Sequence, residues 1–369
     1  MRIVALGATG QAGAEIVRLL APRLAVTDEL VLAGRNAAKL SATAATVTGP
    51  VRLSTVVVDA TDSAAVRTLF TGAQLVIVTV SRPDLIGRLA ELAIEAGADW
   101  IDTMLSTPTK LAALITLSDR IQAAGLCFVT DAGFHPGLPA ALVRWAGEQL
   151  DELIEADVHA GLRVDWKAGE IADSTVAEML DEFSDFTMET WIDGRRRPLR
   201  WSECPKVDFG APIGVQQVVP MALAEMDDLP QRYPSLQRCG FYISGFGPAM
   251  DYLALPVIMT MAKFRRLRPA TIRFTRWSVG RLASVPPPHR LVVQLTATGR
   301  RGGVPASASV TVGGSDSYLL TGAPVVACLD QVLDGSARHP GLHYQAQLVE
   351  PNRFLDELVR LGLEVTRSH

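Results

Sequence analysis

Three glycines, Gly7, Gly10 and Gly13, stand three residues apart in "GATGQAG" near the start of the chain. Glycines at this spacing suit one task. Gly7 makes a tight turn, Gly10 lets backbone approach a pyrophosphate, and Gly13 lets a helix pack on a strand. A helix starting at Gln11 would turn free N–H groups and its positive dipole end toward the phosphates, with Ala8 and Thr9 in the turn. Roughly twenty residues further on, where such a fold reads the ribose, the run "LVLAGRNAAKL" carries Gly34, Arg35, Asn36 and Lys39. A carboxylate there would accept from both ribose hydroxyls and repel a 2′-phosphate. An arginine offers paired donors to phosphate instead. The expected cofactor is therefore NADP, with NAD the less favoured choice. Asp59 and Ala60, ending a third strand, are expected at the adenine side. Thr79, Val80 and Ser81, ending a fourth, are expected toward the ribose and nicotinamide.

Hydride transfer also needs a group to handle a proton. Asp102, Thr103, Asp131 and His135 follow the fifth and sixth strands. His135 has the resting pKa best matched to neutral pH. Asp131 and Asp102 would orient a histidine, bind an amine, or merely cap helices. Arg163 and Lys167, in "GLRVDWKAG", would hold a substrate carboxylate; exposed strand charge is the simpler reading.

Other chemistries are missing. No tyrosine has a lysine four residues later, and Cys127 sits inside a strand-like run, a poor place for a thiol nucleophile. No HExxH or similar motif suggests a metal, and none is expected.

The elements that position these residues alternate regularly from residue 1 to 150. "RIVALG", "ELVLAG", "STVVVDA", "AQLVIVTV", "DWIDT" and "LCFVTDA" read as six short apolar strands. Between them lie helical segments such as "PDLIGRLAELAIEAG" and "TPTKLAALITLSDRIQAAG", opened by proline and closed by glycine. This is an α/β pattern: an N-terminal Rossmann-type doubly wound parallel sheet. After residue 150, "IEADVHAGLRVDW", "ATIRFTRWSVG", "HRLVVQLTATG" and "ASASVTVGG" alternate polar and apolar residues. They predict a second α+β domain on a mixed or antiparallel sheet over 151–320, for substrate binding and dimerisation. Its expected helices are "STVAEMLDEFSDF", 249–264 and "PVVACLDQVLDG". Residues 321–369, ending in the helical "PNRFLDELVRLGLEV", are expected to pack back on the first domain.

Two domains also suit 369 residues. A net charge of −4 makes no case for nucleic acid. The basic pieces "DGRRRPLR" and "FRRLRPATIRF" read as solvated turns or a subunit contact. Four scattered cysteines and the lack of a leader-like segment predict a reduced, cytoplasmic protein. The apolar stretch 241–264 is interrupted by Asp251 and reads as a core or interface helix, with no membrane span.

Together "GATGQAG", "LAGRNAAKL", "VVVDATD", "LVIVTVSRP", "AIEAGADWIDT" and "DAGFHPGLPAAL" make the first 140 residues resemble the saccharopine dehydrogenase family of NAD(P)-dependent oxidoreductases. The resemblance implies hydride transfer with NAD(P), often at an imine or amine carbon, a second domain that holds the substrate, and a homodimer. The loop "FHPGLPA" lacks the acidic residue that saccharopine-forming members carry near their Pro-Gly, which points away from saccharopine itself. The expected activity is NADP-dependent hydride transfer to or from a C=N bond, or C=C or C=O, of a small or medium substrate. The alternatives are a trans-acting enoyl reductase on acyl thioesters, its acyl channel lined by 241–264, and a non-catalytic NADP-binding regulator.

Overall fold

The computed structural model describes residues 1–164, 176, 180, 187–247, 249–283 and 285–369. The chain divides into two compact units. The first comprises Met1–Ala141 and Tyr318–Leu363, the second Leu142–Ser317 and Glu364–His369.

Six strands of the first unit come in chain order: β1 (Arg2–Leu6), β2 (Glu29–Gly34), β3 (Arg52–Val57), β4 (Leu75–Val78), β5 (Asp99–Asp102) and β6 (Cys127–Thr130). The helices are α1 (Gln11–Leu20), α2 (Ala37–Thr46), α3 (Ser63–Phe70), α4 (Pro83–Ala96), α5 (Pro108–Thr116) and α6 (Ser118–Ala123). With a strand from late in the chain, β15 (Gly341–Tyr344), all pairings in this sheet are parallel, in the order β15-β6-β5-β4-β1-β2-β3. This is the expected doubly wound sheet with the strand reversal beside β1.

Local chemistry sets most helix ends. Asp62 accepts from Ala64 and Ala65 N–H to start α3. Pro83 opens α4, and Gly97 closes it at φ 70°. Thr107 caps α5, with Pro108 at its first position. The predicted single helix after Thr107 is broken at Leu117 into α5 and α6. The core is continuous and apolar: β1, β4 and β5 present Val4, Leu6, Val76, Val78 and Trp100 to Leu89, Leu114 and Ile121 on the helices.

The second unit is built on a mixed sheet. After α7 (Leu138–Gln149) come β7 (Glu152–Arg163), β8 (Glu189–Ile192), β9 (Arg195–Pro198), β10 (Lys206–Asp208), β11 (Val215–Pro220), β12 (Arg238–Ser244), β13 (Arg290–Arg301) and β14 (Val304–Gly314). With β16 (Glu364–Ser368) the order is β10-β11-β12-β7-β13-β14-β16, with β8 and β9 attached through β12. Only the β7–β12 pairing among these is parallel. β13 and β14 form a hairpin closed by Gly302 and Gly303, both at positive φ, as a two-residue turn requires.

The structure corrects three element readings. "ATIRFTRWSVG" is not a strand but part of a helix, α9 (Arg268–Leu282). Its β-branched and aromatic residues suggest alternation, yet Thr271, Thr275, Ser278 and Val279 are the buried ones, which is helical spacing. The stretch 241–264 is not one helix. Its first part ends β12, Met250–Ala254 form a π-helical segment, and α8 (Leu255–Ala262) follows. Asp251, the charge inside that stretch, accepts from Phe246 and Gly247 N–H and so fixes the turn between strand and helix. Late in the chain, α10 (Ser317–Leu333) contains "PVVACLDQVL", and α11 (Pro351–Arg360) ends by Gly362 at φ 99°. Glu364–Ser368 then form β16, which pairs with β14, where helix was expected to continue. The predicted helix "STVAEMLDEFSDF" and Lys167 lie outside the described residues, apart from Val176 and Leu180.

Candidate active site

At the C-terminal edge of the first sheet the chain leaves β1 through Gly7 at φ 97°, a conformation that excludes most side chains. A Cβ on Gly7 would lie 2.6 Å from Thr79 Oγ1, and one on Gly13 2.5 Å from Gly7 O and 2.6 Å from Thr79 Oγ1. Thr79 is fixed in turn by donating through its N–H and hydroxyl to Leu6 O at 2.9 Å and 3.3 Å. Both glycines are thus required by packing against the end of β4. Gly10 is the N-cap of α1, and no side chain caps that helix. The first N–H groups of α1 therefore stay available to an anion. A glycine cradle beneath an uncapped helix end fits a pyrophosphate.

Gly34 ends β2 in contact range of Thr9, a Cβ there being 3.2 Å from Thr9 Oγ1. Arg35, Asn36 and Lys39 follow as exposed residues. Asn36 Oδ1 accepts from Lys39 N–H at 3.0 Å, so this side chain starts α2. Arg35 and Lys39 supply the positive charge. Asp59 accepts from the N–H and hydroxyl of Thr61, which lower its pKa, and Arg35 and Arg82 nearby lower it further. Arg82 grips Asp84 with two hydrogen bonds, at 2.8 Å and 2.7 Å. Ala60 is half-buried, as are Thr79 and Val80, while Ser81 is exposed.

Beyond β5 and β6 lies a fully buried ionic cluster. Lys110 Nζ, in the first turn of α5, is 2.6 Å from Asp102 Oδ1 and 2.7 Å from Asp131 Oδ1, and all three side chains are 0% exposed. The ammonium also donates to Met104 O. Asp102 further accepts from Trp100 Nε1–H at 2.9 Å and Met104 N–H at 3.2 Å. Asp131 accepts from the Ser106 hydroxyl and holds φ 55°. Burial opposes charge on Lys110, but Asp102 and Asp131 outweigh it and hold its pKa above the ordinary lysine value. Burial raises Asp131, against the pull of Lys110.

The loop after Asp131 folds on itself. Gly133 and Gly137 sit at φ 136° and 118°, and a Cβ on Gly137 would lie 2.6 Å from Gly133 N. Gly133 N–H donates to Gln345 Oε1 at 3.2 Å. His135 stands in this loop, stacked on Phe134 at 4.3 Å between ring centroids. Burial pushes its pKa down to about 4, so the imidazole is neutral at physiological pH.

Residues 3–129 match the model of the saccharopine dehydrogenase NADP binding domain. Over this stretch the chain is similar to the saccharopine dehydrogenase-like NAD(P) oxidoreductases. It is an oxidoreductase, and its cofactor is NADP. The fold is similar over 100% of both chains to apo saccharopine dehydrogenase (L-Glu forming) from Saccharomyces cerevisiae, at 14% identity and a TM-score of 0.72. A lesser likeness, with a TM-score of 0.48, is to C. glutamicum DAP dehydrogenase in complex with DAP, at 13% identity over 98% of each chain. No curated protein sequence matches the chain.

The residues named from sequence fall into two groups. Gly7, Ala8, Thr9, Gly10, Gln11 and Gly13 form the turn into α1, and Thr79 packs beneath its glycines. Arg35 acts on Asp59 through its charge. Asp102 and Asp131 come together, but around Lys110. Lys110, Ser106 and Arg82 are absent from the sequence reading. For Lys110 a signal existed: a cation in the first turn of a helix opposes the helix dipole, and needs carboxylates to offset it. Arg163 donates to Pro286 and Pro288 carbonyls at 3.0 Å and 3.1 Å, so its guanidinium serves the backbone of that turn. Burial raises the Cys127 thiol to about 11, which leaves it inert as a nucleophile. Among the described residues no His, Cys, Asp and Glu cluster suits a metal ion, and no helix is long and apolar enough to cross a membrane. Within 241–264, Tyr252, Leu253 and Val257 are exposed, while Met250, Ala254 and Ile258 are buried.

Proposed function

We propose that this chain transfers hydride between NADP and the carbon of a C=N bond in a small or medium-sized substrate. The observation that carries the reading is the uncapped start of α1 above Gly7 and Gly13, followed by Arg35 at the end of β2. When bound, the nicotinamide supplies or accepts the hydride. The α1 N–H groups hold the pyrophosphate, and Arg35, with Lys39 one turn on, holds the 2′-phosphate. Gly34 leaves room for the ribose, Asn36 keeps Arg35 in place by starting α2, and Asp59 with Ala60 borders the adenine. Thr79, Val80 and Ser81 lead from the ribose toward the nicotinamide.

The catalytic group is His135, supported by Asp131 and Asp102. Its neutral imidazole exchanges a hydrogen bond with the substrate nitrogen without adding charge to a buried site. Lys110 binds both carboxylates and so ties the end of β5 to the end of β6, from which the His135 loop departs. C=C and C=O bonds are chemically open to the same hydride. The protein works as a cytoplasmic homodimer in this reading. Four buried cysteines, all unpaired, suit a reducing compartment.

The test is NADPH oxidation against a panel of imines formed from keto acids and amines, enones, ketones and acyl thioesters. Imine turnover lost in His135→Gln, with NADPH affinity kept, is the expected result. Turnover of acyl thioesters alone would make it an enoyl reductase. Tight NADPH binding with no turnover on any class would make it a regulator.

A further inference from the structure

The helical hairpin of the second unit turns apolar side chains in two directions. Inward, Met250, Ala254, Ile258 and Val279 join Val176 and Leu180 in one buried cluster. Outward, Leu253 is 69% exposed, Phe264 57% and Trp277 56%, with Tyr252, Val257 and Leu267 also in solvent. Leu253 and Val257 stand one turn apart on the same side of the first helix. Trp277 stacks on Phe274 at 5.8 Å between ring centroids, and Arg273 and Arg281 flank it one turn away on either side. The inward face satisfies the core. The outward face has no such role, and a soluble surface rarely gathers large apolar residues of this kind.

Charge identifies the partner. From Tyr252 to Ser315 the sequence holds ten Lys and Arg and no Asp or Glu. The rest of the chain holds 25 Lys and Arg against 39 acids. Lys263, Arg266, Arg273 and Arg281 from this acid-free segment are exposed on the hairpin itself. Aromatic and aliphatic side chains bordered by arginines suit the boundary between acyl chains and anionic headgroups. A second copy of the same face would set like charges against each other.

We propose that the α8–α9 hairpin docks the protein on an anionic bilayer surface. Leu253, Phe264 and Trp277 enter the headgroup–acyl boundary, and the flanking arginines bind lipid phosphates. No segment spans the bilayer.

Vesicle flotation of the full chain tests this, with phosphatidylcholine vesicles and with vesicles of about one-third phosphatidylglycerol, each at low and high salt. The protein should float with the anionic vesicles only, and high salt should release it. Leu253→Ser/Phe264→Ser/Trp277→Ser should cut the bound fraction roughly tenfold, with the circular dichroism spectrum and NADPH affinity unchanged. Arg273→Gln/Arg281→Gln, which leaves the apolar face intact, should weaken binding most at low salt. No flotation of the wild type, or equal flotation of wild type and both variants, overturns the proposal. So does a wild-type dimer that the serine variant converts to monomer in sedimentation equilibrium, since the face would then be a subunit interface.

Discussion

Replacing Lys110 by methionine keeps much of the side-chain volume and removes the only cation bound to Asp102 and Asp131 among the described residues. All three side chains are fully buried, so solvent cannot take over the lost charge. Removing one partner of a buried ion pair costs about 3–5 kcal/mol. Two carboxylates lose their partner here, which places the expected loss near 5 kcal/mol, the top of that approximate range. Domains of ordinary stability have about 5–15 kcal/mol in total, so the effect is large. Urea unfolding followed by circular dichroism measures it as a lowered midpoint at unchanged slope. Adding Asp102→Asn and Asp131→Asn to Lys110→Met removes the stranded charge and should restore most of the stability.

The pH dependence has a definite sign. The folded-state pKa of Lys110 is raised, so its contribution is complete below the unfolded value of about 10.4 and lost as pH climbs through the folded value. Asp131 is also raised, so its contribution is complete below about 3.9 and lost as pH rises through its folded value. The gap between wild type and Lys110→Met should therefore be widest and level from neutral pH to about 10. It should narrow in acid as Asp131 takes up a proton, and narrow again in strong alkali. A loss below about 1 kcal/mol, or no recovery on neutralising the carboxylates, would refute the cluster as the support of these strand ends.

Further predictions concern the glycine turn, His135 and the end of β2. Gly13→Ala drives a Cβ to 2.5 Å from Gly7 O, so it should destabilise by about 1–3 kcal/mol and weaken NADPH binding, read by thermal melts with and without cofactor; an unchanged melting temperature would show that the turn relaxes. His135 has a folded pKa of about 4 against an ordinary 6.5, so the neutral form stabilises the fold above pH 6.5 and that stability is lost as pH falls toward 4. The full effect is about 3 kcal/mol, and urea midpoints of His135→Gln should fall less over this range than those of wild type; parallel curves would contradict a half-buried neutral imidazole. Arg35→Asp should lower NADPH affinity by roughly tenfold or more, from the loss of a charge-assisted hydrogen bond of about 1.5–3 kcal/mol, while sparing NADH in titration calorimetry.

The glycine turn was readable because its demands are local. Gly7 needs a positive φ, Gly13 needs the absence of a Cβ, and both appear in the sequence as glycine. The parallel sheet was readable because its strands are continuous apolar runs between capped helices. The Lys110 cluster was not, because it joins residues from three separate segments, and "TPTK" by itself is only a capped helix start. β15 is likewise invisible locally: four residues after "HPG" become a strand only by pairing with β6. "ATIRFTRWSVG" misled because two-residue alternation and helical spacing overlap when small polar residues such as Thr271, Thr275 and Ser278 face the core. Asp131 and Asp102 were proposed as site residues from their position at strand ends, but their partner Lys110 was hidden in the sequence.

The most direct test of the central claim is titration calorimetry of the wild-type chain with NADPH and with NADH, side by side with Arg35→Asp. Wild type should bind NADPH at least about tenfold more tightly than NADH, and Arg35→Asp should erase that preference. Equal wild-type affinities, or a preference that survives the substitution, would contradict the assignment of the 2′-phosphate to Arg35.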